Sequence, residues 1–136
     1  MDIITAFLAA TLKEEIYIKV PDKLQSTFSA YIKILKSIYR LKQAARMWYL
    51  LILDFLQIIG FKSQASNPTV IINYLNGVVI GIHVNDMLLI GPNEDANKHT
   101  KDLLKQRFNI KDLGKATSII GIRITRSKNR KTLLIN

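Results

Sequence analysis

With 136 residues, 49% of them apolar and 22% charged, the chain is long enough for one ordinary core and too apolar for disorder. It has no cysteine, and His83 and His99 alone cannot make a structural metal site, so any metal must be held by carboxylates. The net charge of +10 and a pI near 9.9 point to a polyanionic partner, nucleic acid before membrane.

The first apolar stretch, Ile3 to Leu8, is expected to hold the first strand. Asp2 interrupts the apolar start and no basic region follows Met1, so no signal peptide is expected. Ile16 to Val20 alternates in strand fashion and stops at Pro21, and Tyr31 to Leu35 is a further short strand. Lys33, Lys36, Arg40, Lys42 and Arg46 form a run without an acid, which taken alone reads as a solvated face. Ala44 to Ile59, with polar residues at Arg46, Asp54 and Gln57 and Gly60 behind it, reads as a buried helix. Its most apolar part, Met47 to Ile59, is well short of the ~20 residues that span a bilayer, so no membrane partner is expected.

Val70 to Leu75 and Val78 to Val84 flank Asn76 and Gly77, which predicts a hairpin closed by a type I′ turn. A second turn is expected at Asn85 and Asp86, before an apolar strand from Met87 to Ile90. Asn93 is placed to cap a helix with Glu94 and Asp95 in its first turn and Ala96, Thr100, Leu103, Leu104 and Phe108 on its inner face. Ser118 to Thr125 and Thr132 to Ile135 are predicted as final strands, and no acid follows Asp112.

No repeat or linker divides the sequence, which is read as one unit. The order strand, helix, strand, strand, helix, strand predicts an α+β fold, the ferredoxin-like split βαβ layer, with an antiparallel sheet and two packed helices. Right-handed crossovers place the first strand beside the hairpin, so Asp2 is expected to approach the Asn85 and Asp86 turn.

Met1 to Leu8 (MDIITAFL), Glu14 to Tyr17 (EEIY), Leu35 to Tyr49 (LKSIYRLKQAARMWY), Gly60 with Phe61, Ser66 to Pro68, His83 to Met87 (HVNDM) and Phe108 to Gly114 (FNIKDLG) occur in one order along nearly the whole chain. This series resembles the palm region of copia-type retrotransposon reverse transcriptases, whose patterns read MDVKTAFL, EEIY, LKKSLYGLKQAPRQWY, SDP, YVDDM and FDMKDLG. The resemblance implies an RNA-directed DNA polymerase that uses two Mg²⁺ ions, an RNA or DNA template-primer and deoxynucleotides. Two such ions, roughly 3.5 to 4 Å apart, need several carboxylates to offset their charge. It also implies an intracellular product.

Carried across residue by residue, Asp2 matches the first catalytic, metal-binding aspartate and Asp86 the second of the family's paired aspartates. Asn85 stands where the first of that pair belongs, and an amide brings no charge to a metal. Phe7 matches the residue that lies under the sugar and excludes a 2′-hydroxyl. Tyr39 and Gln43 keep the nucleotide-side pattern, whereas Arg40 stands in place of a glycine and Ala45 in place of a proline. Lys42 and Arg46 are candidates for template or phosphate contact, and His83 replaces a tyrosine as a strand residue near the turn. The resemblance further implies a palm fragment whose finger strands, thumb and ribonuclease H domain lie outside the chain, with little or no activity. Met1 at a chain end predicts fraying around Asp2.

Without the family, Asp2 is a surface carboxylate and Asn85 with Asp86 a β-turn pair. Trp48 and Tyr49 are expected in the core rather than stacked on bases. The alternative function is a basic ferredoxin-like module that binds nucleic acid without chemistry, though the RNP1 pattern of an RNA-recognition module is lacking. Leu50, Leu51, Leu53, Ile58 and Ile59 form an apolar outer helix face that needs a cover.

Overall fold

The computed structural model describes residues 1–24, 29–127 and 133–135. Its elements run β1 (Asp2–Ile3), α1 (Ala6–Ala9), β2 (Thr11–Lys19), a 3₁₀ turn (Asp22–Leu24), β3 (Tyr31–Lys36), α2 (Ala44–Ile58), β4 (Lys62–Ser63), β5 (Val70–Asn73), β6 (Val78–His83), β7 (Asp86–Ile90), α3 (Glu94–Arg107), β8 (Ile110–Lys111), β9 (Ser118–Ile119), β10 (Ile122–Arg126) and β11 (Leu133–Ile135). They divide into two compact units, Met1–Ile4 with Phe55–Asn136, and Thr5–Asp54. The fold class is α+β, as the sequence predicts, with an antiparallel sheet and a short helix, α1, beside the two long ones.

The first unit carries an antiparallel sheet in the order β4-β5-β6-β7-β1-β8. Alternation gives this sheet one buried face. Ile71, Val78, Ile80, Ile82, Met87 and Ile3 are buried, whereas Val70, Ile72, Val79 and Gly81 are half-buried and His83 and Asp86 exposed on the other side. Each fully buried aliphatic side chain contributes about 1.5–3 kcal/mol.

Helix α3 starts as its residues dictate. Asn93 is extended at φ −148° and its side chain accepts from the Ala96 amide at 2.8 Å, while Glu94 and Asp95 sit at the positive end of the helix dipole and Lys105 and Arg107 at the negative end. Thr100, Leu104 and Phe108 form its buried stripe. The C-terminal end of α2 closes in a Schellman motif. Gly60 adopts φ 89°, its amide donates to the Gln57 carbonyl at 3.1 Å, and the Phe61 amide donates to Leu56 at 2.9 Å. Phe55 then meets Phe108 edge to face, with ring centroids 5.4 Å apart.

Four expectations need correction. Ile3 to Leu8 is not one strand: Thr5 turns into the left-handed region at φ 56°, and Ala6–Ala9 coil as α1. A short apolar run without alternation is compatible with either state. The β5–β6 hairpin is real, but its loop is residues 74–77 rather than Asn76 and Gly77 alone. Asn73 pairs with Val78, and its side chain accepts from the amides of Leu75 and Asn76 at 3.0 and 3.3 Å, holding the wider loop. The β6–β7 turn is Val84 and Asn85, not Asn85 and Asp86, because His83 pairs with Asp86. Finally, Ser118 to Thr125 is folded back on itself at Ile120 and Gly121, both at positive φ, so that Ile119 pairs with Ile122. An isoleucine in that region costs about 1–2 kcal/mol, and nothing local announces it. Leu133–Ile135 pairs with β10 as a final strand, while Thr132 lies outside the described residues.

The second unit is a two-stranded ribbon, β2 with β3, together with α1 and most of α2. Ile16 pairs with Ile34 and Ile18 with Ile32, and an irregularity between Thr11 and Ile16 shifts the register toward the ribbon's end. Phe7, Val20, Ala44, Trp48 and Ile52 are buried here, which agrees with the core role read for Trp48. On the apolar outer face read for α2, Leu50 and Ile58 are exposed, while Leu51, Leu53 and Ile59 are half-buried. Among the described residues no helix is long and apolar enough to cross a membrane.

Candidate functional site

In the first unit, strand register brings Asp2 directly opposite Asp86. The bonds on either side define their spacing. Met1 and Met87 exchange two bonds of 2.9 Å, and the Ile3 amide donates to the Asn85 carbonyl at 3.0 Å. Asp2 and Asp86 therefore occupy a non-hydrogen-bonded position, where facing side chains are closest, with Cα atoms about 4.5 Å apart. The fraying expected at the chain end meets a strand tied on both edges, since β8 pairs with β1 as well.

The same register extends the row sideways. His83 lies opposite Asp86 on β6, and Lys111 lies opposite Asp2 on β8. Directly opposed residues share a face, so His83, Asp86, Asp2 and Lys111 line up across four strands on the side away from the core. Asp86 and Lys111 are exposed and Asp2 half-buried. The sequence reading missed the place of Lys111, although its match within FNIKDLG was the available signal. Asn85 sits in the turn beside the row, with its Oδ1 atom buried. Its neighbour Val84 is held at φ 53°, a costly conformation for a β-branched side chain.

Just beyond Lys111, Asp112 ties the chain to α3. Its carboxylate accepts from the Gly114 amide at 3.0 Å and meets Lys101 at 3.0 Å and Lys105 at 3.8 Å. Burial works to raise its pKa, but the Gly114 amide and the two ammonium groups outweigh that and hold it below the ordinary carboxylate value.

The second unit holds the residues matched to the nucleotide side. Phe7 is buried and packs edge to face against Tyr39, with centroids 4.7 Å apart and planes at 72°. Tyr39 is 55% exposed, so Phe7 supports a ring that faces solvent. Arg40 is exposed and adopts φ 72°, the left-handed backbone that a glycine would take without strain. Gln43 is half-buried and its carbonyl accepts the Met47 amide at 2.9 Å, opening α2. Lys42 and Arg46 are exposed around this helix start, and no acid occupies the first turn. Cations at the positive end of a helix dipole are unfavourable by themselves and become favourable once an anion joins them.

Comparison with known proteins decides the family. The sequence profile described as reverse transcriptase (RNA-dependent DNA polymerase) matches residues 1–136. The chain belongs to the reverse transcriptase family of copia-type retrotransposons. It is 32% identical, over its whole length, to the retrovirus-related Pol polyprotein from transposon TNT 1-94 of Nicotiana tabacum. It is also 32% identical, over 93% of its length, to the retrovirus-related Pol polyprotein from transposon RE2 of Arabidopsis thaliana. The chain spans 11% and 9% of those two relatives. A transposon Ty5-1 protein of Saccharomyces cerevisiae is 31% identical over 95% of the chain, which spans 43% of that protein. No solved structure matches significantly.

Reverse transcriptases generally use Mg²⁺, and the row can be tested against that ion. Asp2 and Asp86 offer two hard oxygen donors on an open face, which suits one Mg²⁺ that keeps its other positions for water or phosphate. Among the described residues no group of three or more His, Cys, Asp or Glu side chains is arranged to hold a metal. The two carboxylates present fall short of the charge that two such ions would need.

Proposed function

We propose that this segment is the palm of an RNA-directed DNA polymerase, a ferredoxin-like split βαβ layer in which Asp2 and Asp86 are the metal-binding carboxylates. The observation that carries the reading is their direct opposition across β1 and β7 on the open face of the sheet. The strand order β6-β7-β1-β8, with α2 between β1 and β6 in sequence and α3 between β7 and β8, supports the layer.

What Mg²⁺ supplies when bound is Lewis acidity toward a primer 3′-hydroxyl and neutralisation of charge on the α-phosphate, in the family's two-ion chemistry. Asp2 and Asp86 bind and orient from the sheet. Phe7 excludes a 2′-hydroxyl, and Tyr39 and Gln43 border the deoxynucleotide. Lys42 and Arg46 hold phosphates of an RNA or DNA template-primer, for which the acid-free start of α2 is suited. The other polymerase subdomains are its partners.

The same reading makes the segment inactive as it stands. Asn85 brings an uncharged amide with a buried oxygen where the family pattern has an aspartate, and Arg40 sets a long cation where it has a glycine. With primed template, deoxynucleotides and Mg²⁺, no primer extension is expected. Templated extension that disappears in Asp2→Ala would overturn the inactivity and keep the palm. Salt-dependent binding to a primer-template duplex is expected to remain, and its failure at ~50 mM salt removes the nucleic-acid role altogether.

A further inference from the structure

We infer that Lys111 is a built-in counter-ion of the Asp2 and Asp86 pair, compensating it in the metal-free protein and yielding when a divalent ion binds. Two carboxylates directly opposite each other at a non-hydrogen-bonded position repel, and such like-charge pairs destabilise a sheet. The pair is bracketed on its own face by His83 beside Asp86 and Lys111 beside Asp2. Of these two, Lys111 carries an ammonium group on a flexible four-carbon stem long enough to reach its cross-strand neighbour.

Neighbouring lysines of the same unit are engaged elsewhere. Lys101 and Lys105 meet Asp112, and Lys115 meets Glu94 at 3.8 Å. Among the described residues no ion pair ties Lys111 to any acid, Asp2 and Asp86 included, so what it offers the row is a nearby uncommitted charge rather than a formed contact. The anchoring of Asp112 on α3 fixes the chain immediately after Lys111 and holds β8 at the edge of β1. Lys111 acts in this arrangement as a positioning residue. It lowers the cost of assembling two carboxylates before an ion arrives, and it competes with that ion afterwards.

The divalent-ion half of this inference rests on the metal role proposed for Asp2 and Asp86; the counter-ion half does not. The test compares the 136-residue chain with Lys111→Met, Lys111→Arg, Asp2→Asn and the Asp2→Asn/Lys111→Met double variant. In EDTA, Lys111→Met is expected to melt a few degrees lower than the parent, with Lys111→Arg restoring the loss. In the Asp2→Asn background the Lys111→Met loss is expected to vanish, because the repulsion is gone. Calorimetric titration with Mn²⁺ or Mg²⁺ is expected to show roughly 3- to 10-fold tighter binding by Lys111→Met, as a nearby positive charge is removed. An equal melting loss with and without the Asp2 carboxylate overturns the inference, as does unchanged divalent affinity in Lys111→Met when the parent binds. Coupling in the melts with no divalent binding by any variant supports the counter-ion and sinks the metal reading alone.

Discussion

The two units solve the same problem with unequal means. In the first, six strands give inner strands such as β6 neighbours on both edges, and Ile71, Val78 and Ile80 are fully buried. In the second, among the described residues β2 pairs with β3 and with no further strand, and Tyr17, Tyr31 and Leu35 remain 56%, 62% and 69% exposed. A two-stranded ribbon has too few neighbours to bury its faces and is marginal by itself. The proposed metal ligands sit on the well-supported sheet and gain their relative position from its register. The residues matched to the nucleotide side depend on a loop and a helix start.

The largest expected effect tests that inequality directly. Ile80→Ala, at a fully buried position, should cost about 2–5 kcal/mol in urea denaturation, whereas Leu35→Ala should stay within about 0.5 kcal/mol. Equal costs would break the comparison. A smaller effect concerns strain, which the two units carry at different places. Val84 is left-handed in the turn beside the carboxylates, and Arg40 is left-handed in the segment before α2. The family pattern has valine at the first place and glycine at the second, so the Arg40 strain is the one a reversion removes. Arg40→Gly is expected to stabilise the protein by about 0.5–1 kcal/mol, the relief of strain less the added freedom of the unfolded chain. Loss of stability in that variant would mean that the guanidinium makes up for its own backbone.

The smallest effect is a pH dependence in the first unit. Asp112 is held below its ordinary value when folded, so the stability it contributes is present above the unfolded value of 3.8 and is lost as pH falls through the folded one. Thermal melts across the acid range should therefore show a steeper decline for the parent than for Asp112→Asn. Parallel declines would show that the contacts with Lys101, Lys105 and Gly114 do not outlast solvent screening.

Much of this was legible in residue order. The cap at Asn93, the stripe of Thr100, Leu104 and Phe108, and the stop at Gly60 follow from local chemistry and are found where the sequence places them. The approach of Asp2 to the β6–β7 turn follows from crossover handedness and is realised as a direct strand pair. The turns were less legible. Asn85 and Asp86 are better turn formers than Val84, yet the sheet places Val84 in the turn and Asp86 in the strand, and a one-residue shift decides which face a side chain takes.

The sequence by itself determined the family and the two long helices, and singled out Asp2 and Asp86 as candidate carboxylates, because these are written in short patterns and in residue chemistry. Only the tertiary structure decided that Asp86 rather than Asn85 faces Asp2, and that His83 and Lys111 flank the pair. Those are matters of register between strands distant in the chain. Register is set by burying Ile3, Ile82 and Met87 together on the other face, which no local stretch of sequence specifies.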